Sequence, residues 1–567
     1  LAAGGSVVSI PQGSSKTLRS ALGRPFEPIA IIGLSCRLPG APDLDSFWRL
    51  LRDGLNAITE VPSGRWDVAA YHDADLEAPG KMSTRWGGFL KQVDQFDPQF
   101  FGLSPREAVQ VDPQQRLALE LAWEALEEAG IDPRTLRGSQ TGVFLGAMWS
   151  DYARLVRSGT QYITQHTATG QDTSIIPARI SYTFGLHGPS VAVNTASSSS
   201  LVAIHLACQS LQTGDSSLVL AGGINLMLAP DSTVAMSKFG AMAPDGRSKA
   251  FDASADGYVR GEGGGVVVLK PLSRAIQEGD RVWAVIRGSA INNDGASQGL
   301  TAPSREAQEA VLREAYRRAG VSPRRAHFVE THGSGTKLGD VIEAQALGAV
   351  LGQGREATRP LTLGAVKTHL GHLEAAAGVT GFIKTVLSMH HRVMTPNLHF
   401  NNPNPNIPFE SLRLAVPRAE RAWPHPEEPA LAGVSSFGFG GTNCHVVLES
   451  LETSPPQLLP LSAEGPEGLA ALARQVRALA LHAEPHLTLA EVARTAAARW
   501  SFGPSRLAVT ARSFAELVRR LDDALSEMSR EGAAFHKPSS PGGRPVFVFA
   551  GQGFDWVDLT QQLLHEE

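Results

Sequence analysis

At 567 residues the chain exceeds one ordinary domain and predicts two or three. Hydrophobic residues make up 42% and charged residues 19%, which describes a globular protein with ample core and excludes a disordered or low-complexity chain. A net charge of −5 with no Lys/Arg-rich run gives no sign of nucleic-acid binding, and no apolar run approaches a membrane span.

Residues 1–26 are rich in Gly, Ser and Pro without amphipathic periodicity and predict an arm or linker. Ile29 to Leu34 predicts a buried strand, Cys36 to Gly40 a loop, and Asp45 opens a helix. Pro62 to Asp97 predicts surface loops. Asp112-Pro113 opens a long helix that Gly130 ends, with an N-cap aspartate and proline at its first position. Strands are expected at Thr141–Gly146, Val191–Asn194, Ser217–Gly223, Gly263–Lys270 and Val282–Gly288, and a helix at Ser304–Ala319. Phe328–Glu330 and Leu363–Val366 each predict a strand running into a functional turn, and Glu374–Met389 a helix. The run from Ala432 ends in a glycine-rich loop, and Cys444 to Leu448 resumes a strand. Alternating strands and helices with apolar runs predict an α/β fold with a mostly parallel sheet covered on both faces. After Glu449 a small domain is expected, with strands at Leu458–Ser462 and Arg506–Ala511 and helices at 468–483, 487–500 and 514–528. Pro545 begins a further strand that Glu567 cuts short, so the chain reads as a piece of a longer protein.

Cys36, Cys208 and Cys444 lack the spacing of a metal site or disulfide framework, so no metal is expected and a reducing, cytoplasmic setting fits. Chemistry is suggested instead by Val191 to His205, a buried strand turning sharply at Thr195–Ala196 into a helix that opens with Ser197 to Ser200. Serines there can accept from the free N–H groups of a helix start, and the positive helix end suits a nucleophile or an oxyanion. Taken alone, the stretch reads first as a serine-rich cap of a core helix.

Three motifs in order change that reading. Asn194-Thr-Ala-Ser197-Ser-Ser-Ser-Leu201, Glu330-Thr-His332-Gly-Ser334-Gly-Thr336 and Lys367-Thr-His369-Leu-Gly-His372 resemble the three active-site motifs of β-ketoacyl synthases. Gly438-Phe439-Gly-Gly-Thr-Asn443 agrees in order and spacing, and the resemblance covers 27–449. It implies a thiolase-type fold of two similar stacked βαβ halves and a homodimer. It also implies a substrate carried on the phosphopantetheine arm of an acyl carrier protein, with no permanently bound cofactor. The domains it implies are 27–450 for the ketosynthase, 451–540 for a linker domain, and 541–567 for the start of an acyltransferase whose Gly-x-Ser-x-Gly elbow is absent.

Residue by residue, the resemblance places Ser197 at the nucleophile position that the family fills with cysteine. It gives His332 and His372 to enolate stabilisation and makes Lys367 and Glu343 a supporting ion pair. Ser334 and Thr336 would hold the pantetheine arm, and the backbone N–H groups of Ser197 and Phe439 would form the oxyanion hole. A helix end can make a cysteine a thiolate, but a serine hydroxyl needs a close base. Serine at 197 therefore points to a domain that decarboxylates a malonyl-type unit without condensing it, as in polyketide loading modules. Asn194 in place of aspartate and His369 in place of asparagine are further departures. A condensing enzyme with Cys→Ser at 197, a non-catalytic docking or dimerisation domain, and a Ser–His hydrolase remain open alternatives.

Overall fold

A computed structural model of the chain describes residues 27–156, 159–424, 428–451, 457–483, 487–498, 503–511 and 514–528. The arm expected at 1–26 and the broken strand expected at 541–567 lie outside these residues. The chain divides into two compact units, Leu1–Leu451 and Glu452–Glu567.

The first unit is built on an eleven-stranded sheet. Its strands are β1 (Ile29–Arg37), β2 (Thr141–Gly146), β3 (Ser190–Val193), β4 (Leu218–Asn225), β5 (Gly263–Pro271), β6 (Ala284–Asn293), β7 (Phe328–Glu330), β8 (Leu361–Gly364), β9 (Leu414–Ala415), β10 (Leu431–Phe437) and β11 (Thr442–Glu449). They lie in the order β9-β8-β7-β10-β11-β6-β1-β5-β4-β2-β3. The implied duplication is visible in this order. β1, β2, β3, β4 and β5 are arranged β1-β5-β4-β2-β3, and β6, β7, β8, β10 and β11 repeat the pattern as β6-β11-β10-β7-β8. Antiparallel pairing of β1 with β6 joins the halves.

Helices complete the layers. α1 (Pro113–Glu128) and α2 (Ile175–Phe184) cover the outer face of the first half through Leu117, Leu121, Leu126, Ile176 and Ile180. α4 (Arg305–Ala319) and α5 (Gly339–Leu347) cover the outer face of the second through Val311, Leu312, Ala344 and Leu347. Between the halves lie α3 (Ser199–Thr213) and α6 (Ala377–His391), whose Leu201, Ile204, Val379, Phe382 and Val386 share one core with both halves of the sheet. Both inner helices are buried along most of their length, so their sequences lack a polar face. They cross closely: a Cβ at Gly378 would fall 2.8 Å from that of Leu201.

Five expectations need correction. The sheet is mixed rather than mostly parallel, with five parallel and five antiparallel neighbour pairs. One reason is legible afterwards: the Gly438–Gly441 loop is a tight hairpin between β10 and β11, and only an antiparallel pair can be joined so briefly. Pro62–Asp97 is not merely surface loop, because Val61, Trp66, Met82 and Phe89 form a buried cluster with Met227. Arg65 also pairs there with the buried Glu262 at 2.6 Å. Cys36 belongs to β1, not to a loop, and Gly222–Gly223 lie inside β4 rather than at its exit. β3, expected to be buried, is the bare edge of the sheet, with Ser190 and Val191 exposed.

The second unit pairs β12 (Gln457–Ala463) antiparallel with β13 (Ser505–Ala511). Helices α7 (Pro466–Leu481), α8 (Leu489–Ala497) and α9 (Phe514–Met528) enclose a core of Leu459, Leu461, Leu469, Val509, Leu517 and Leu521. Thr488 and Glu491 form a reciprocal capping box on α8.

Candidate active site

The duplicated topology sets the site. Ser197 follows β3 at the start of α3, and Lys367 to His372 follow β8, the matching strand, before α6. His332 follows β7, the neighbour of β8. All sit beyond the carboxyl ends of parallel strands, where α/β sheets place their chemistry.

The elbow under Ser197 is held in an unusual backbone shape. Ala196 has a φ of 57°, a left-handed conformation that costs a non-glycine residue energy. The neighbouring polar side chains hold it there. Asn194 Oδ1 accepts from the Ala196 N–H at 3.1 Å, and Ser198 Oγ donates to the Thr195 carbonyl at 2.9 Å. Ser199 Oγ accepts from the Thr195 N–H at 2.9 Å and donates to the Ala196 carbonyl. Ser200 Oγ accepts from the Val379 N–H of α6 at 3.0 Å. The serines therefore brace the elbow and the second inner helix, and do not cap α3 as expected: Ser198 is its N-cap and makes no side-chain cap bond. Asparagine at 194 supplies an acceptor oxygen, as an aspartate would, so that departure leaves the turn intact.

Ser197 is the exception. It is buried, and its hydroxyl makes no hydrogen bond to any described residue. Its carbonyl accepts from Ser436 Oγ at 2.8 Å, which ties the elbow to the end of β10. Gly438 closes the contact: a Cβ there would lie 2.1 Å from the Thr195 carbonyl oxygen.

The two histidines are fixed in one tautomer. His332 Nδ1 accepts from the Phe437 N–H at 3.3 Å, and His372 Nδ1 accepts from the Glu374 N–H at 2.9 Å. An Nδ1 that accepts leaves Nε2 to carry the proton, so each ring has one N–H to donate. Burial first, and Lys367 second, hold both well below the usual histidine range, so both are neutral. Their ring centroids are 5.5 Å apart. Two neutral N–H donors side by side suit an oxygen that gains negative charge. Neither can take a proton at Nε2, and neither bonds Ser197 among the described residues.

Lys367 and Glu343 do not touch as the expected ion pair. Both hold the His332 backbone: Lys367 Nζ donates to its carbonyl, while Glu343 accepts from the N–H groups of His332 and Gly333 at 2.7 and 2.9 Å. Burial lowers Lys367 and raises Glu343, and the charge of each opposes that shift in the other. Ser334 Oγ and Thr336 Oγ1 lie 3.1 Å apart on the turn after His332. Phe439 is 41% exposed at the hairpin tip, its ring 6.1 Å from that of Phe239. His369 is fully buried and neutral, with Nδ1 3.1 Å from Thr368 Oγ1. The cysteines offer no substitute nucleophile, since burial pushes all three thiols up, Cys208 to about 12.

Sequence reasoning overlooked Ser436, Arg260, Glu374 and Trp149. Arg260 forms a bidentate pair with Glu374, both bonds 2.7 Å, and Trp149 Nε1 donates to the same carboxylate at 2.7 Å. Glu374 stood two residues after His372, and Arg260 in the glycine-rich Gly257–Gly265 run, so composition marked both places.

Comparison with known proteins adds the lineage. Residues 26–275 match the family model of the β-ketoacyl synthase N-terminal domain, 283–401 that of the C-terminal domain, and 403–503 the ketoacyl-synthetase C-terminal extension. The chain is 45% identical over 560 residues to a phenolphthiocerol/phthiocerol polyketide synthase of Mycobacterium tuberculosis, covering 95% of this chain and 36% of that protein. It is 48% identical over 567 residues to polyketide synthase GfsA of Streptomyces halstedii, covering 95% of this chain and 7% of that one. Among solved structures, a cysteine-to-serine mutant of the ketosynthase from module 6 of the Bacillus subtilis 168 bacillaene synthase superposes with a TM-score of 0.72. It shares 38% identity, over 89% of this chain and 86% of that one. The oxazolomycin ketosynthase domain OzmH KS7 of Streptomyces albus JA3453 gives 0.72 at 36% identity, over 88% and 89%. With a duplicated fold, two paired histidine donors and these matches along most of its length, the chain belongs to the β-ketoacyl synthase family, as a ketosynthase domain of the modular polyketide synthase kind.

Proposed function

We propose that this domain decarboxylates a malonyl-type thioester held on the phosphopantetheine arm of an acyl carrier protein, supplying an acyl starter without condensation. The carrying observation is that both histidines are preset as neutral Nε2–H donors while Ser197 lacks a base. In the reaction, the two N–H groups hold the thioester carbonyl oxygen. The bond to the carboxylate breaks, carbon dioxide leaves, and the electron pair passes to the enolate held by those donors. The α-carbon then takes a proton from water and the acyl thioester remains on the carrier. Lys367 and Glu343 hold the His332 peptide in place, and Ser334 and Thr336 offer hydroxyls to the arm. The N–H groups of Ser197 and Phe439, the oxyanion hole of this reading, donate to that same oxygen beside the two histidines.

Condensation would need Ser197 to accept an acyl chain first. A hydroxyl without a base, at a helix end that lowers a pKa by only a few units, stays protonated at neutral pH. The same lack of a base argues against a Ser–His hydrolase. The bare β3 edge beside the elbow, with Val191 37% exposed, supports a second copy of the chain as the partner there. An adjacent acyltransferase and the carrier protein are the other partners of this reading.

The test is to incubate the domain with malonyl-carrier protein and to follow carbon dioxide and the carrier's mass. The reading expects acyl-carrier formed in step with carbon dioxide. No release above the carrier alone overturns it, and elongation by a Ser197→Cys variant alone points to a condensing ancestor.

A further inference from the structure

We propose that Glu374, clamped by Arg260 and Trp149, is the positioning residue that keeps His372 in its Nε2–H donor form. The kinetic arm of the test rests on the decarboxylation reading; the proposal itself does not.

The main chain of His372 is pinned on both sides by one strand-like run. Its N–H donates to the Val259 carbonyl at 2.7 Å, and its carbonyl accepts from the Gly261 N–H at 2.8 Å. These bonds fix where the ring begins but not which nitrogen carries the proton. That choice rests on the Glu374 N–H at Nδ1. The N–H reaches Nδ1 from a backbone conformation that glutamate does not favour, with a φ of 48°. Such a conformation persists only where the surroundings over-determine it.

The side chain of Glu374 supplies that constraint. Its carboxylate takes both forks of Arg260 and the Trp149 indole N–H, three short bonds to two oxygens in a buried site. Arg260 is itself anchored, donating to Ser232 and Thr233 Oγ1 at 3.0 and 2.6 Å, with its guanidinium 5.8 Å from the Trp149 ring. The run that pins the His372 main chain therefore also carries the arginine that anchors the residue setting its tautomer. The groups facing His372 are Arg260, Lys367, His332 and Tyr258, and the positive charges of Lys367 and Arg260 favour its neutral form. Without the clamp, Glu374 can relax to an ordinary φ and its N–H leaves Nδ1. The freed ring can then hold its proton on Nδ1, and an unprotonated Nε2 cannot donate to an enolate.

The test uses the whole chain labelled with ¹⁵N-histidine, in the parent, Glu374→Ala and Trp149→Phe. The signals of His372 are identified by their loss in His372→Gln. Long-range ¹H–¹⁵N spectra at neutral pH should show only the Nε2–H form in the parent and a mixture in Glu374→Ala. Trp149→Phe, which removes one bond and keeps an aromatic ring, should fall between. Carbon dioxide release from malonyl-carrier protein should lose kcat on the order of 10²-fold in Glu374→Ala, with KM little changed. A folded Glu374→Ala that keeps His372 wholly in the Nε2–H form overturns the proposal, as does a loss confined to KM. Should Glu374→Ala fail to fold, an unchanged tautomer in Trp149→Phe overturns it. If the parent releases no carbon dioxide, the decarboxylation reading fails while the spectra still decide this one.

Discussion

Gly438→Ala probes the contact between the hairpin and the elbow. An added methyl carbon would sit 2.1 Å from the Thr195 carbonyl oxygen and 3.1 Å from Ser198 Oγ. Carbon and oxygen approach no closer than about 3.3 Å, so the hairpin tip or the elbow must move by roughly 1 Å. The elbow is braced by four hydrogen bonds and by α3, whereas the tip is exposed, so the tip should move. Phe439 moves with it, and on the proposed reading its N–H is withdrawn from the oxyanion hole. Loss of one such donor costs about 3 kcal/mol in the transition state, a 10²- to 10³-fold slower reaction. The overpacking itself costs about 1–3 kcal/mol of stability. Gly440→Ala is the control, because its Cβ would meet nothing within 4 Å. Carbon dioxide release from malonyl-carrier protein and thermal unfolding of both variants are the assays. Parental release by Gly438→Ala would falsify the claim that this hairpin supplies a catalytic donor.

Other consequences follow from the same geometry. His332→Ala and His372→Ala should each slow carbon dioxide release by about 10²- to 10³-fold, and the double variant by less than the product, since the two donors act on one oxygen. Parental product yield in both would favour a docking role. His205 is held neutral, at about 4, by burial and then by Arg318. Between pH 6.5 and 4 the unfolded chain binds a proton that the folded chain refuses, so this group's contribution to stability is lost as pH falls. At pH 5 the loss is about 2 kcal/mol, and the stability gap between parent and His205→Gln in denaturant should narrow by that amount from pH 7. A gap independent of pH would contradict the assignment of a neutral, buried ring. Val191→Glu on β3 should shift sedimentation from dimer to monomer, and an unchanged dimer would place the partner elsewhere.

Much of this was legible because the chemistry is written in short runs. The Asp112-Pro113 start of α1 and the Ser304 cap of α4 stand where capping rules put them. Ser197, His332, Lys367 and His372 follow strands that the apolar runs predicted. Long-range partners were not legible. The antiparallel middle of the sheet joins β1 to β6, which lie far apart in the chain, a pairing without local signature. Lys367 and Glu343 were expected as an ion pair because the resemblance implies one, but their shared partner is the His332 backbone, invisible in any side-chain pattern. The four serines looked like a cap, yet the partners of Ser198, Ser199 and Ser200 lie backward on the elbow and across on α6, which only the packed inner helices define. The clamp on Glu374 brings together residues 149, 260 and 374, whose separation along the chain hides their contact.

Central to the proposed chemistry is that Ser197 has no base and takes no acyl chain. Intact-protein mass after incubation with an acyl-carrier thioester tests this most directly, with Ser197→Cys beside the parent. The parent should keep its mass and Ser197→Cys should gain one acyl group. An acyl adduct on Ser197 of the parent would contradict a decarboxylase that does not condense.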